Sequence, residues 1–433
     1  MMTLDSFETT LKEKIGVLLS NIFDKSRVEK ILEPEEFQSL DVDWSIFVKE
    51  SVVDGAFSLS CQQRRTIKIL RRSFSLFARK RRDCIEVQNF FYDLEDLAEQ
   101  VVALPLERLK GYSQDFFSNL FPSCAISFRP KMNGVQLGTL AILKFPDGGE
   151  VRYFVKTHSL GSHLSSLQSA GEEPVQPTEL LCYRILELLD LGPEAFFFGQ
   201  NEKNFYIATR DSGYNGAFIE YGLLTRSNDQ ARLIMGAEFV AMMDSITTVY
   251  TAEDFEREAK SSELTKTFFE NMLLLDVLEW ILRLSDVTSN VTNFGFFAAA
   301  EDATGPFKLR IIDFRAEARP DNRRRTVSDT VFGSCADLRR FGDPYRTYSL
   351  TRRPPVVKLS DGIRLICPDG PLFHFLDVVA RAAVEVKECL GSLPQDESSF
   401  TQQSRDRNLE IVDLAAAAYT ADFTSMSEFL HSS

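Results

Sequence analysis

The sequence predicts an α+β protein of two lobes preceded by a helical region, and three observations support this. Apolar residues recur at helical spacing through residues 1–115. Short segments rich in β-branched and aromatic residues follow, separated by turn signals typical of antiparallel strands. A mostly helical stretch with one late hairpin comes next. We therefore predict a helical region (1–115), a strand-rich lobe (116–212), a helical lobe (213–392), and a polar junction with a C-terminal helix (393–433).

Composition limits the class of protein. A chain of 433 residues with 44% apolar residues is long enough for two or three domains. The net charge of −14 excludes nucleic-acid binding through the overall field of the protein. No apolar run approaches the ~18 residues of a transmembrane helix, and the N-terminus lacks the basic start and apolar stretch of a signal peptide. Seven scattered cysteines without CxxC spacing predict buried thiols in an intracellular protein, cytoplasmic or nuclear.

The predicted elements follow in order along the chain. Three strands (124–129, 137–145 and 151–157) are joined by the turn signals Asn133-Gly134 and Pro146-Asp-Gly-Gly149. A polar loop (159–177) leads to a helix that Thr178 caps and that ends before Gly192-Pro193. The remaining predictions are strands at 195–199 and 204–210, helices within 229–284, a strand pair at 294–298 and 308–314, and helices at 370–390 and over the last forty residues.

Five polar residues carry the candidate chemistry. Asp286 is followed by Asn293-Phe-Gly, and Asp313 ends the apolar segment Leu309-Arg-Ile-Ile. Many phosphotransferases use such an order: the first Asp orients the attacking group, and the Asn and last Asp hold magnesium. This interpretation requires an earlier strand lysine and a glutamate on the next helix, and Lys156 and Glu179 meet the requirement.

On these residues, the chain from about 124 to 390 resembles the protein-kinase-like superfold. It looks closest to the atypical branches: HipA-type kinases, phosphoinositide kinases and small-molecule phosphotransferases. The resemblance implies ATP and Mg²⁺ as cofactors, with Lys156 and Glu179 at the phosphates, Asp286 as catalytic residue, and Asn293 and Asp313 as metal ligands. It also implies that main-chain groups of Ala208 to Arg210, in the segment leading to the hinge, bind the adenine edge.

Each assignment has a structural alternative. Lys156 is also explained as a solvated lysine at a strand end, and Glu179 as a first-turn acid stabilised by the helix dipole. The hinge segment is also explained as a buried strand that runs into a turn. Asn133-Gly-Val-Gln-Leu-Gly138 has two glycines where phosphate-binding loops usually have three, and an ordinary hairpin turn explains it equally well.

The spacing around Asp286 departs from the family pattern. The usual gap from Asp to Asn is about five residues, whereas Asn290 lies four residues and Asn293 seven residues after Asp286. Aligning Asn293 on the family asparagine places Thr288 at the aspartate position, and threonine cannot accept a proton as a carboxylate does. Asp286 reaches the site only if the loop bulges. Arg315 offers an alternative for Asp313, a structural ion pair.

Two basic clusters are candidate contacts for anionic partners. Arg323 to Arg325 follow Asp313 at the activation-loop position, and a second cluster spans Arg64 to Arg82 on a predicted amphipathic helix. A solvated basic loop explains the first cluster equally well, and a packed helix with a charged outer face is the favoured explanation of the second.

Three functions remain open on the sequence. The first is an ATP- and magnesium-dependent kinase that acts on a protein or lipid hydroxyl. The second is a pseudokinase, with the same fold serving as a nucleotide-binding or scaffolding module. The third, an unrelated α+β binding protein, leaves the ordered series of motifs unexplained.

Overall fold

The computed structural model describes 84–130, 138–157, 175–199, 205–213, 218–224, 235–246, 263–287, 290, 292–298, 307–317, 359–393 and 402–432. Several sequence predictions fall outside these residues: the helices before residue 84, the Asn133-Gly134 turn, Thr288, Arg64 to Arg82 and Arg323 to Arg325. No helix among the residues described is both long enough and apolar enough to cross a membrane.

Helices and antiparallel strands come mostly in separate runs along the described residues, as expected for the α+β class. The helices are α1 (Ile85–Leu120), α2 (Pro177–Leu188), α3 (Tyr221–Leu224), α4 (Ala237–Ile246), α5 (Glu263–Ile281), α6 (Leu359–Ile366), α7 (Phe375–Gly391) and α8 (Gln402–Ser432). The strands are β1 (Ala125–Pro130), β2 (Gly138–Lys144), β3 (Glu150–Thr157), β4 (Ala195–Gly199), β5 (Phe205–Arg210), β6 (Phe218–Glu220), β7 (Leu284–Ser285), β8 (Phe294–Ala298), β9 (Phe307–Ile311) and β10 (Arg315–Ala316).

The strands form three sheets. The largest has the order β1-β2-β3-β5-β4, the second has the order β6-β8-β9, and β7 pairs with β10. Ala125 lies opposite Lys144 in the antiparallel β1–β2 pair, and Phe294 lies opposite Ile311 in β8–β9. The three-stranded sheet and the β7–β10 pair bracket the loop that carries Asp286 and Asn293.

The chain divides into two compact units, and the division passes through β3 and β5. In the first unit, α1 packs on β1 and β2. The rings of Phe121 and Phe145 meet edge to face with centroids 5.8 Å apart. The turn after β2 forms as predicted: Phe145 N–H donates to the Gly149 carbonyl over 2.8 Å, and Gly148 has a φ of +87°. Glycine adopts this left-handed conformation without steric cost.

The second unit contains β6 to β10 and the C-terminal helices. Its core includes an aromatic cluster in which Tyr221 stacks on Phe294 with centroids 4.9 Å apart, and Phe296 meets Phe307 at 5.1 Å. Aromatic pairs of this kind add about 0.5–1.5 kcal/mol beyond the burial of their area. Helices α2, α7 and α8 pack on one another. This unit therefore supplies a rigid support for the loop between α5 and β8.

Helix α2 begins earlier than the sequence predicts. Its first residue is Pro177 and its N-cap is Gln176, without a capping side-chain hydrogen bond, so the predicted cap at Thr178 is wrong. Proline has no N–H and a φ that suits the first helical position, and it therefore sets the start of the helix. Glu179 lies in the first turn, as the sequence predicts, where the helix dipole favours a negative charge.

Candidate functional site

The candidate site is a loop that leaves α5 and enters β8. Arg283 and Asp286, the residues that flank β7, have φ angles of +52° and +64°. A left-handed conformation costs a residue with a Cβ roughly 1–2 kcal/mol and persists only where its surroundings hold it. Two such residues within four positions indicate a tightly held loop, and the contacts that hold it include the candidate residues.

Asn293 is the centre of this loop. Its Nδ2 donates to the main-chain oxygen of Asp286 over 2.6 Å, and its Oδ1 accepts from Asn290 Nδ2 over 3.1 Å. Its main-chain oxygen accepts from the N–H groups of Ile312, at 2.8 Å, and Asp313, at 3.2 Å. The Asn293 side chain is 7% exposed. A single buried residue therefore joins the Asp286 turn to the segment that carries Asp313.

Asp313 lies two residues beyond the end of β9, and helix α2 fixes it. Its Oδ1 accepts from the Tyr183 hydroxyl over 3.2 Å and from the Phe314 N–H over 3.1 Å. The Tyr183 ring packs on Phe314 with centroids 4.3 Å apart. Further along, Gln176 Nε2 donates to the Ala316 carbonyl over 3.1 Å. Helix α2 and its N-cap residue thus hold the Asp313 carboxylate and the residues after it.

Arg315 forms an ion pair with Asp286: its Nε lies 3.3 Å from Asp286 Oδ2, with both side chains partly buried. The register of the β7–β10 pair explains this contact, because Arg315 lies opposite Ser285 and therefore beside Asp286. The candidate catalytic carboxylate is thus neutralised in part by a guanidinium.

Lys156 and Glu179 are both buried, at 3% and 1% exposed. The sequence alternative of a solvated lysine at a strand end is therefore wrong. Buried charges require compensating polar or charged partners. A lysine that binds phosphate groups requires such partners as well. The pairing of Lys156 with Glu179 stays a prediction.

The hinge segment, Ala208 to Arg210, forms the last residues of β5. Ala208 is fully buried, and the Arg210 N–H donates to the Glu194 carbonyl over 2.9 Å. The Arg210 guanidinium lies 3.7 Å from the Glu194 carboxylate, which also accepts from the Tyr153 hydroxyl over 2.9 Å. Burial and this hydrogen bond raise the pKa of Tyr153 well above its ordinary value. The Arg210 amide would have to give up its bond to Glu194 before it could bind an adenine edge.

Beneath the loop lies a buried polar group that sequence reasoning missed. Arg283 Nε lies 3.1 Å from Asp422 Oδ2 of α8, and its Nη1 lies 3.6 Å from Glu317 Oε2. Cys182 Sγ lies 3.4 Å from the Tyr419 hydroxyl, and burial raises the pKa of this thiol to about 12. One signal in the sequence marks Asp422: it is a charged residue on the apolar face formed by Tyr419, Phe423 and Met426.

The site has a donor set that suits magnesium. Mg²⁺ prefers oxygen ligands and commonly takes one or two carboxylates from the protein, with waters and substrate phosphates completing its shell. Asp313 and Asn293 supply a carboxylate and an amide oxygen on adjoining segments. The described ranges contain no group of three or more His, Cys, Asp or Glu that could hold a metal ion. A metal at Asp313 and Asn293 would therefore depend on phosphate oxygens from a nucleotide.

Comparisons with known proteins include a distant likeness to a solved structure. No model of a known protein family matches the chain, and its sequence matches no curated protein. Among solved structures, the chain is similar to the Helicobacter pylori proinflammatory kinase CtkA at 14% identity, over 69% of this chain and 96% of CtkA, with a TM-score of 0.30. No conclusion about this chain follows from a TM-score that low.

Proposed function

We propose that this chain is an atypical kinase-like phosphotransferase that uses ATP and Mg²⁺ to phosphorylate a hydroxyl of a protein or lipid. The observation that carries the proposal is the position of Asn293. Its side chain bonds to the Asp286 turn and its main chain bonds to Asp313. The three polar residues that the phosphotransferase order requires therefore belong to one hydrogen-bonded unit. The kinase-like two-lobed architecture, with a boundary near residue 212, is part of the same proposal.

The residues would act chiefly through position and charge. Asp313 and Asn293 would hold Mg²⁺, which neutralises charge on the nucleotide phosphates. Lys156, kept in place by Glu179, would bind phosphate oxygens. Asp286 would orient the acceptor hydroxyl and take its proton. Main-chain groups near Ala208 would accept the adenine edge.

The test is the thermal stability of the full chain with ATP, with and without Mg²⁺. A ligand at 100-fold excess over its Kd adds about 2.7 kcal/mol to the folded state, which raises the melting temperature of a chain of 433 residues by about 3 °C. Asp313→Asn should abolish the magnesium-dependent part of the shift. A wild-type protein that shows no shift at millimolar ATP overturns the proposal.

The matched control is Asp190→Asn. It removes a carboxylate of the same unit, 67% exposed and paired with Arg310 at 3.1 Å. Asparagine tolerates the left-handed conformation of Asp190, whose φ is +56°. The Asp190→Asn control should keep the full magnesium-dependent shift in melting temperature. Loss of that shift in Asp313→Asn then reports on the candidate site rather than on the removal of one negative charge.

The second candidate is a pseudokinase that binds nucleotide without turnover. The observation that favours it is the ion pair between Asp286 and Arg315, because a carboxylate engaged by a guanidinium is not available to orient an acceptor hydroxyl. Continuous measurement of ADP release separates the two functions. A magnesium-dependent thermal shift without ADP release in wild type, with release appearing in Arg315→Gln, would favour the pseudokinase.

A further inference from the structure

We propose that helix α8 positions the loop of Asp286, through the buried ion pair between its Asp422 and Arg283. Asp422 is a positioning residue in this inference, since it reaches Asp286 only through Arg283 and the loop. The effect of Asp422 on turnover rests on the proposed function. The effect of Asp422 on the position of the loop can be tested without turnover.

The pair is fully enclosed. The Arg283 and Asp422 side chains are 2% and 1% exposed, and their Nε and Oδ2 atoms lie 3.1 Å apart across 139 residues of chain. A buried guanidinium without a carboxylate partner is strongly unfavourable. The position of Arg283 is therefore tied to the position of Asp422.

Arg283 transmits that position to the candidate site. It immediately precedes β7, and Asp286 immediately follows β7. The left-handed conformation of Arg283, with a φ of +52°, sets the direction in which β7 leaves α5. A shift of the guanidinium therefore moves β7 and the Asp286 turn as one piece.

The same guanidinium also holds the other side of the β7–β10 pair. Its Nη1 lies 3.6 Å from Glu317, the residue that follows β10. Arg315, within β10, pairs with Asp286. Arg283 therefore joins α8 to both strands that flank the candidate catalytic carboxylate.

A second contact of α8 reaches the start of the loop. The Tyr419 hydroxyl lies 3.4 Å from Cys182 Sγ, and that sulfur lies 3.8 Å from the Leu282 carbonyl. Both side chains are completely buried. One turn of α8, from Tyr419 to Asp422, thus supports the two residues from which the loop departs.

The first test compares Asp422→Asn with Asp413→Asn in steady-state kinetics of the full chain with ATP. Asp422→Asn keeps the shape of the side chain and removes its charge. We expect kcat to fall about 10- to 100-fold, as a displaced catalytic group would cause, with the KM for ATP changed less than about 2-fold. Asp413 lies on the same helix, 60% exposed and paired with Lys387, and its variant should match wild type. Equal kcat values for the two variants overturn the inference.

The double variant Arg283→Met with Asp422→Leu separates positioning from folding. Apolar side chains of similar volume replace a buried ion pair at little or no cost in stability. We expect the melting temperature to return to that of wild type while kcat stays at least about 10-fold lower. Recovery of kcat together with the melting temperature would show that the pair only stabilises the fold, and would overturn the inference.

Amide hydrogen exchange distinguishes failure of this inference from failure of the proposed function. If wild type shows no turnover, the proposed function fails, and the exchange of residues 283–287 and 315–317 still decides the inference. Asp422→Asn should speed exchange at least about 10-fold in these segments relative to α7, and Asp413→Asn should not. Unchanged exchange in Asp422→Asn overturns the inference whatever the activity.

Discussion

Asn293 donates a 2.6 Å hydrogen bond from its side-chain nitrogen to the main-chain oxygen of Asp286, seven residues earlier. The bond joins the two residues whose long separation makes the sequence irregular. Asn290 Nδ2 donates to Asn293 Oδ1 over 3.1 Å. The long spacing therefore leaves Asp286 attached to the same asparagine as Asp313.

Asn293→Ala should destabilise the protein and remove its response to magnesium. The substitution leaves the partly buried main-chain oxygen of Asp286 without this donor, which costs about 1–3 kcal/mol. Urea unfolding measures this loss, and the melting temperature with ATP and Mg²⁺ measures the response.

The control is Asn271→Ala. Asn271 also makes two hydrogen bonds, donating to the Thr267 carbonyl over 2.9 Å and accepting from the Leu309 N–H over 3.2 Å. This variant should lose about 1 kcal/mol of stability and keep the shift with ATP and Mg²⁺. A shift that persists in Asn293→Ala would contradict its role as a ligand.

Gly295→Ala should lower the free energy of unfolding by about 3 kcal/mol, at the upper end of the range for overpacking. A Cβ at Gly295 would lie 2.0 Å from the Ile219 carbonyl oxygen, and the β6–β8 pair would have to separate. A Cβ at Gly391, the last residue of α7, would meet none of the described residues within 4 Å beyond its own helical turn. Gly391→Ala should therefore leave stability unchanged or raise it by up to about 1 kcal/mol. Equal effects in urea unfolding would contradict the close approach of β6 to β8.

Glu220→Gln should stabilise the protein at neutral pH and lose that advantage in acid. Burial raises the pKa of Glu220 above its ordinary value, so the folded state binds its proton more tightly than the unfolded state does. The wild-type penalty is therefore complete above the raised pKa and absent below the unfolded pKa.

Melting temperatures of Glu220→Gln and wild type between pH 4 and 8 check this dependence on pH. The difference should grow as the pH rises. Glu388→Gln, at an exposed position of α7, should follow wild type throughout. A constant difference for Glu220→Gln would indicate an effect other than desolvation.

Much of the fold follows from local pattern. Strands β4 and β8 have the predicted bounds, β3 and β5 differ from prediction by one residue at one end, and β1 and β2 differ by one residue at both ends. Alternating apolar residues and turn glycines carry this information locally. The short strands β6, β7 and β10 cannot be predicted in this way, because two or three residues show no periodicity and are set by tertiary pairing.

The candidate site is also predictable from the sequence only in part. Asp286, Asn293 and Asp313 can be named from their order, but their partners cannot. The sequence offers Arg315 as a partner for Asp313, and in the structure Arg315 pairs with Asp286. The register of the β7–β10 pair sets this contact, and that register cannot be deduced from one amino-acid sequence. Asp422 escapes sequence reasoning for a related reason: its partner lies 139 residues away.

That separation has a consequence for synthesis of the protein. Ribosomes add about 5–20 residues per second, so Arg283 leaves the ribosome roughly 7 to 28 s before the carboxylate that neutralises it. During that interval the nascent chain already contains Lys156, Asp286, Asn293 and Asp313. Translation that aborts before Asp422 would release a fragment that contains every candidate residue and lacks the carboxylate that pairs with Arg283.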